Sequence, residues 1–303
     1  MNGYTNSPKV LYSNKNLLDN WDFTKPVNQR KSSLYSSMGY TIDRWILKFL
    51  NNATGTFNAT TGLMSRTNSS GYVQLLQIIP VDEIDLKGKQ CTLSLSIGSV
   101  ANSSVTIYCE EIDVWTHYQE VSTTGTNTII SATFTFPSTI KNNIQISINT
   151  ESKVKINAAK LEYGSISTLK NDILGVSYSE ELLKCYRYYH DSRTSTDQNA
   201  TNRARMRLIS STNTAQHGWL VGNIKFPVPM RCTPTISILS DSGNINCLNH
   251  GILGTEISNS VRMVNYYDNI GFNQVVLTDN WHSFDIVNDT EDATFQYIAS
   301  ADL

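Results

Sequence analysis

Apolar and polar residues alternate with period two along much of the first half of the chain. In "CTLSLSIGS" (Cys91–Ser99), Cys91, Leu93, Leu95 and Ile97 fall on one side and Thr92, Ser94 and Ser96 on the other. "SATFTFP" (Ser131–Pro137), "NIQISIN" (Asn143–Asn149) and "KVKINAAKLEYG" (Lys153–Gly164) follow the same rule. A side chain leaves each face of a strand every second residue, so this pattern predicts antiparallel strands with one buried face. Turn signals such as "TTGTN" and "KNN" separate the runs at short intervals, which predicts a β-sandwich.

One segment departs from the alternation. In "SYSEELLKCYRYYH" (Ser177–His190), Leu182, Leu183, Tyr186, Tyr189 and His190 follow helical spacing, and Ser177 with Glu180 forms a capping box. A short helix is therefore expected over this stretch, with the domain junction just before it at Gly164–Gly175. Strands resume after it. "WLVGNIKFPVPMRCTPTISIL" (Trp219–Leu239) carries Pro227, Pro229 and Pro234, which bar a central strand and imply an edge or an extended crossing. "VRMVNYYDN", "NQVVLTDN" and "ATFQYIASADL" supply further strands, and Asp191–Asn202 reads as a loop. The fold class expected is all-β: an N-terminal jelly-roll sandwich, a linking helix and a C-terminal sandwich-like domain.

Composition narrows the function classes. Of 303 residues, 40% are apolar and only 17% charged, with a net charge of −2, so the surface is hydrogen-bonding rather than ionic. Such a chain has no basic field to hold a phosphate backbone, and nucleic acid is not expected as a partner. The longest apolar runs, such as Leu75–Val81, fall far short of a membrane span. No apolar leader follows the first residues, so synthesis in a cytoplasm is expected. The sequons at Asn52, Asn58, Asn68, Asn102, Asn199 and Asn288 are then chance in an Asn/Ser/Thr-rich chain. Cys91, Cys109, Cys185, Cys232 and Cys247 are odd in number and never form a C-x-x-C pair, which argues against disulfides and a zinc site.

The run "NLLDNWDFTKPVNQR…GYTIDRW" resembles the opening of carbohydrate-binding-module-like jelly rolls in phage and prophage tail-fibre or receptor-binding proteins. "KVKINAAKLEYGSIST" resembles the closing strand of that module. "SEELLKCYRYYH", "FPVPMRCTPTISI" and the terminal "FQYIASADL" are similar to the distal module that follows it. The resemblance covers about residues 16–303. It implies a virion component made in the host cytoplasm, assembled as a homotrimer and binding host cell-surface polysaccharide. Its parts would be an attachment arm for other virion proteins (1–15), the sandwich (16–168) and a helix with a distal β-rich domain (176–303).

Three clusters carry candidate chemistry. Trp21, Asp22, Arg30, Asp43, Arg44 and Trp45 lie close together in a chain sparing of charge. Their carboxylates and guanidinia suit sugar hydroxyls, but the favoured reading is a structural corner with paired Asp and Arg and both tryptophans in the core. "CEEIDVWTHYQEVSTTG" places Trp115, His117 and Tyr118 among acidic and amide groups, the mixed chemistry of a shallow glycan site. Trp281, His282 and Asp285, with Tyr267, repeat it in the second domain, where the receptor site is expected. The rival reading puts Trp115 in the core and His117 in solvent.

Catalytic signatures are missing: there is no G-x-S-x-G, H-E-x-x-H, P-loop or G-x-G-x-x-G. Two acidic groups, Glu110/Glu111/Asp113 and Asp289/Glu291/Asp292, offer a glycosidase pair or a structural calcium site only if their carboxyls converge. The function expected is therefore non-catalytic adhesion to host glycans, with no cofactor. Its alternatives are a structural virion decoration without a sugar site and a polysaccharide-degrading enzyme.

Overall fold

The computed structural model describes residues 13–101, 103–114, 116–123, 128–172, 177–194, 204–209, 219–250, 256–257, 261–277 and 292–302. The chain divides into two compact units, Met1–Leu182 and Leu183–Leu303.

The first unit contains strands β1 (Leu34–Tyr35), β2 (Gly39–Tyr40), β3 (Ile46–Leu50), β4 (Gly55–Asn58), β5 (Leu63–Arg66) and β6 (Tyr72–Ile79). It continues with β7 (Gln90–Ile97), β8 (Val105–Glu111), β9 (Thr116–Thr123), β10 (Ile129–Thr135), β11 (Ile144–Thr150) and β12 (Lys153–Tyr163). These form two six-stranded antiparallel sheets, ordered β1-β4-β5-β12-β7-β10 and β2-β3-β6-β11-β8-β9. The alternation dictates the core. Cys91, Leu93, Leu95 and Ile97 from β7 meet Ile107, Cys109, Ile144, Ile146 and Ile148 from the other sheet in one apolar cluster. Both central thiols are pushed up by burial, that of Cys91 to about 12, and both cysteines act as small apolar residues.

The incoming segment runs beside β12. Leu17 N donates to the Leu161 carbonyl at 2.8 Å, Ala159 N to Trp21 at 3.1 Å and Phe23 N to Asn157 at 3.0 Å. After β12 come a one-turn helix α1 (Leu169–Asp172) and then α2 (Tyr178–Tyr186). Glu180 N donates to Ser177 Oγ at 3.4 Å, one half of the capping box that the sequence predicts.

The helix is shorter than its spacing suggests, which corrects the expectation of helix to His190. The chain turns after Tyr186, with Tyr188 N donating to the Cys185 carbonyl at 3.0 Å. Tyr189 and His190 instead begin β13 (Tyr189–Asp191). Their apparent helical period is a strand whose three residues are all buried.

Beyond the end of α2 and a 3-10 turn at Ser192–Thr194, the described elements of the second unit are strands. Its other strands are β14 (Ala204–Ile209), β15 (Trp219–Lys225), β16 (Thr235–Leu239), β17 (Leu248–His250), β18 (Glu256–Ile257), β19 (Val261–Tyr267), β20 (Gly271–Leu277) and β21 (Asp292–Ser300). They follow the order β18-β17-β21-β14-β15-β20-β19, and β13 and β16 also pair with β21. The long β21 thus has different neighbours at its two ends: β14 and β17 meet it at residues 292–295, and β13 and β16 further along. Phe295, Tyr297 and Ala299 project from it into a core with Phe226, Phe272 and Val275. Pro227, Pro229 and Pro234 lie between β15 and β16, where no ladder hydrogen bond is lost.

Candidate functional site

The sheet β2-β3-β6-β11-β8-β9 turns one face to the core and presents an organised set of side chains on the other. Register assigns them to rows that cross the strands. The middle row reads Tyr40, Ile46, Leu76, Ser147, Tyr108 and Glu120 from β2 to β9. One neighbouring row holds Ile78, Gln145, Glu110 and His117, and the other Lys48, Gln74, Asn149, Thr106 and Ser122. Leu76 and Ser147, at the centre, are 0% exposed, and Gln74, Gln145 and Glu110 are buried beside them. Leu76 is buried without belonging to the apolar cluster between the sheets. Tyr40 and Tyr108 stand four strand spacings apart, about 19 Å, the reach of an oligosaccharide rather than a monosaccharide.

The polar groups of this face are held in place. Gln145 Nε2 donates to Glu110 Oε1 at 2.6 Å and to Ser147 Oγ at 2.8 Å, which leaves Oε1 as the amide's remaining acceptor. His117 Nε2 reaches Glu110 Oε2 at 2.8 Å, and its ring lies 5.2 Å from that of Tyr108. The Tyr108 phenol is raised by burial first, then by the Glu120 carboxylate and the Tyr72 phenol, so these groups share one neighbourhood. Asn149 Oδ1 is buried without a hydrogen-bond partner. At the far end the Arg30 guanidinium lies 4.9 Å over the Tyr40 ring. Aromatic rings, amide acceptors and a fixed carboxylate on one face can stack on a pyranose and take its hydroxyls.

Of the residues singled out in "CEEIDVWTHYQEVSTTG", the structure brings His117 to this face and sends Tyr118 to the other. A β-bulge between Cys109 and Glu110 shifts the register of β8 and β9. The shift puts His117 on the face of Glu120 and Ser122, and Tyr118 packs on the core side, edge-on to Phe136 at 5.4 Å between ring centres, and donates its hydroxyl to Glu111. Glu111 also accepts from Lys141 N and Asn142 N, each at 3.0 Å. Glu110 and Glu111 consequently serve opposite faces and do not converge as a pair. Asp113 lies in the turn before β9, and among the described residues no cluster of His, Cys, Asp and Glu has metal-binding geometry.

Trp115, Trp281, His282, Asp285, Asp289 and Glu291 lie outside the described residues. Tyr267 ends β19 and is 45% exposed. The structure brings the corner residues together at one end of the first unit. Trp21 and Trp45 are buried. Arg30 pairs with Asp43 at 3.0 Å, Arg44 Nε with Asp19 Oδ2 at 3.3 Å, and Arg44 Nη2 donates to the Ile78 carbonyl at 2.7 Å. Asn20 binds the corner from within: its Nδ2 donates to the carbonyls of Val27 and Asp43, and its Oδ1 accepts from Val27 N. Asp22 Oδ1 accepts from Thr24 N and Thr24 Oγ1.

Sequence reasoning missed most of the face. Tyr40, Tyr72, Gln74, Tyr108, Gln145 and Asn149 come from four strands, β2, β6, β8 and β11, and their only signal was a polar or aromatic residue at an outward position.

No protein-family model matches the chain, and no curated protein matches it significantly. Several solved structures are similar in part. A carbohydrate-binding module, CBM4, shares 16% identity at a TM-score of 0.34, over 40% of this chain and 88% of its own. The enzymatically active domain of tailspike protein 4 from bacteriophage CBA120 shares 12% at 0.31, over 49% of this chain and 21% of its own. A family 29 carbohydrate-binding module shares 9% at 0.29, over 46% of this chain and 93% of its own. Likenesses of this strength assign no function.

Proposed function

We propose that the protein is a glycan-binding adhesin, and that it serves a phage virion as a receptor-binding component. The observation that carries this reading is the outer face of the second sheet. Tyr108 and Tyr40 stand towards the two ends of a row whose centre, Leu76 and Ser147, is closed to solvent, and the amides of Gln145 and Asn149 and the carboxylate of Glu110 flank that row. Asn149 Oδ1 is an acceptor without a partner, so a glycan hydroxyl that reaches it adds a hydrogen bond without breaking one. Glu110 and Glu111, the hydrolytic pair that the sequence offers on β8, point to opposite faces and do not meet across one cleft, which removes that pair as support for hydrolysis. The resemblance of the opening run and the distal module to phage receptor-binding proteins supports the virion role. A homotrimer would multiply a weak site by effective concentration.

A glycan array probed with the purified protein and with Tyr108→Ala tests this reading. Binding that falls several-fold in the variant, at unchanged melting temperature, is the expected outcome, since one stacked aromatic is worth about 1 kcal/mol beyond burial. Retained binding in Tyr108→Ala with loss in Trp281→Ala moves the site to the second unit. Release of reducing ends from a bound glycan makes the protein an enzyme.

A further inference from the structure

Charge is distributed unequally along this face, and the inequality bears on what can lie there and in which direction. At the β8–β9 end, Glu110 and Glu120 flank Tyr108; Glu120 is its direct cross-strand partner and is exposed. At the β2–β3 end stands Lys48, directly opposite Gln74. Lys48 has no ion-pair partner among the described residues, whereas the Arg30 charge beside Tyr40 is already matched by Asp43. The remaining titratable groups of the face are His117, held by Glu110, and the phenols of Tyr40, Tyr72 and Tyr108.

We infer that this sheet face is polar along its length and sets the direction of its glycan: an acidic substituent is accepted at the Lys48 end and refused at the Tyr108 end. This rests on the glycan-binding reading above. Lys48 on β3 and Glu120 on β9 are four strand spacings apart, about 19 Å, more than twice the Debye length of about 8 Å at physiological salt. Each end therefore acts on its own part of the ligand without cancelling the other. Near Tyr108 a carboxylate on the sugar meets two fixed carboxylates, one of them buried. A like charge about 6 Å away costs roughly tenfold in affinity or more at the effective dielectric of a protein surface. A hydroxyl or an amine at that point is accepted by the same groups. Near Lys48 the sign is reversed. The ligand class is thus a glycan that is uncharged where it crosses Tyr108, with any carboxylate or phosphate displaced towards β3.

Three hexasaccharide sets with one backbone test this by calorimetry: neutral, oxidised at the reducing end to a single carboxylate, and uronic at every sugar. The full chain should bind the neutral and end-oxidised forms within a fewfold of each other, and the uronic form at least tenfold more weakly. Lys48→Gln should weaken the end-oxidised form relative to the neutral one by about fivefold. Glu120→Gln should raise the affinity of the uronic form relative to the neutral one by a similar factor. Equal binding of all three sets by the parent, or variants that leave their ratios untouched, overturns the inference while the glycan-binding reading stands. Failure of every set to bind overturns both. Lys48 and Glu120 lie outside the apolar core, so each variant's melting temperature should match the parent and separates charge from folding.

Discussion

The ammonium of Lys160 donates to the backbone carbonyl of Asn14 at 2.7 Å, so the closing strand of the first unit holds the segment through which the chain enters it. The same Nζ reaches Thr168 Oγ1 at 2.7 Å, Ser13 Oγ at 3.0 Å and the Asp172 carboxylate, and Glu162 lies 3.4 Å away. Asn14 N in turn donates to Thr168 Oγ1 at 3.1 Å. One buried cation thus gathers the start of the unit and the segment that follows its last strand. Removing it leaves two carboxylates without their counter-charge, a loss of about 3–5 kcal/mol for a buried pair broken on one side. Lys160→Met should therefore lower the urea midpoint sharply with little change in slope. Lys160→Met combined with Glu162→Gln and Asp172→Asn should recover much of the loss. A single variant as stable as the parent would remove the clamp from the account of this fold.

In the corner of the first unit, Arg44 occupies a left-handed backbone conformation, φ +72°. Its guanidinium binds Asp19 and the Ile78 carbonyl. Arg44→Ala keeps the unfavourable backbone and discards both contacts, so it should cost about 3 kcal/mol. Arg44→Gly relieves the backbone and should be more stable than Arg44→Ala by about 1 kcal/mol. Thermal melts of the two variants check the order. Glycan binding measured well below the lowered melting temperature should match the parent, and its loss in a fully folded variant would make the corner a ligand site.

The strands were legible because a half-buried strand writes its burial into every second residue. β7, β11 and β12 fall where the alternation puts them, and the Asp–Arg corner was visible because charge is scarce in this chain. Two things were not legible. Thr92, Ser94, Lys160 and Glu162 sit at outward positions, yet all are buried. The cause lies far away in sequence: Thr92 Oγ1 donates to the Gly164 carbonyl, Ser94 Oγ to Ser167, and Lys160 reaches Ser13 and Asn14. The candidate face was hidden for a related reason. An outward Gln or Tyr looks the same in sequence whether it meets water or a neighbour, and only the order β6-β11-β8 brings Gln74, Asn149 and Thr106 into one row. His117 shows the limit of local reading, since a one-residue bulge brings it to the face of Glu120 and Ser122, from which plain alternation excludes it.

That bulge makes its own prediction. Tyr118 gives Glu111 one of three hydrogen bonds, and the other two come from the backbone of Lys141 and Asn142. Tyr118→Phe keeps the ring against Phe136 and removes one charge-assisted bond, a loss of about 1–2 kcal/mol. Glu111→Ala removes all three and leaves the loop donors unsatisfied, so it should cost at least as much again. Neither change should alter glycan binding if the site lies on the opposite face. A several-fold loss of affinity in folded Tyr118→Phe would place Tyr118 in the site after all.

The second unit should weaken in acid through His190. The ring is buried between Tyr186 and Tyr297, at 4.8 and 5.4 Å between centres, and its Nδ1 has no hydrogen-bond partner. Burial pulls its pKa down to about 4, against a smaller upward pull from Asp191. The unfolded chain takes up a proton near pH 6.5, whereas the folded unit resists until about pH 4. Stability is therefore complete above pH 6.5, falls as the pH drops through this window, and levels off below it. The fall amounts to about 3 kcal/mol at 1.36 kcal/mol for each unit of difference. Hydrogen exchange of the amides of Phe295, Tyr297 and Ala299 should accelerate accordingly between pH 6.5 and 4, once corrected for the intrinsic rate. His190→Phe cannot take up the proton, so its corrected exchange should change far less over the same range. It should cost little at neutral pH, because no bond to Nδ1 is lost. An equal acid response in both proteins would assign the effect to another group.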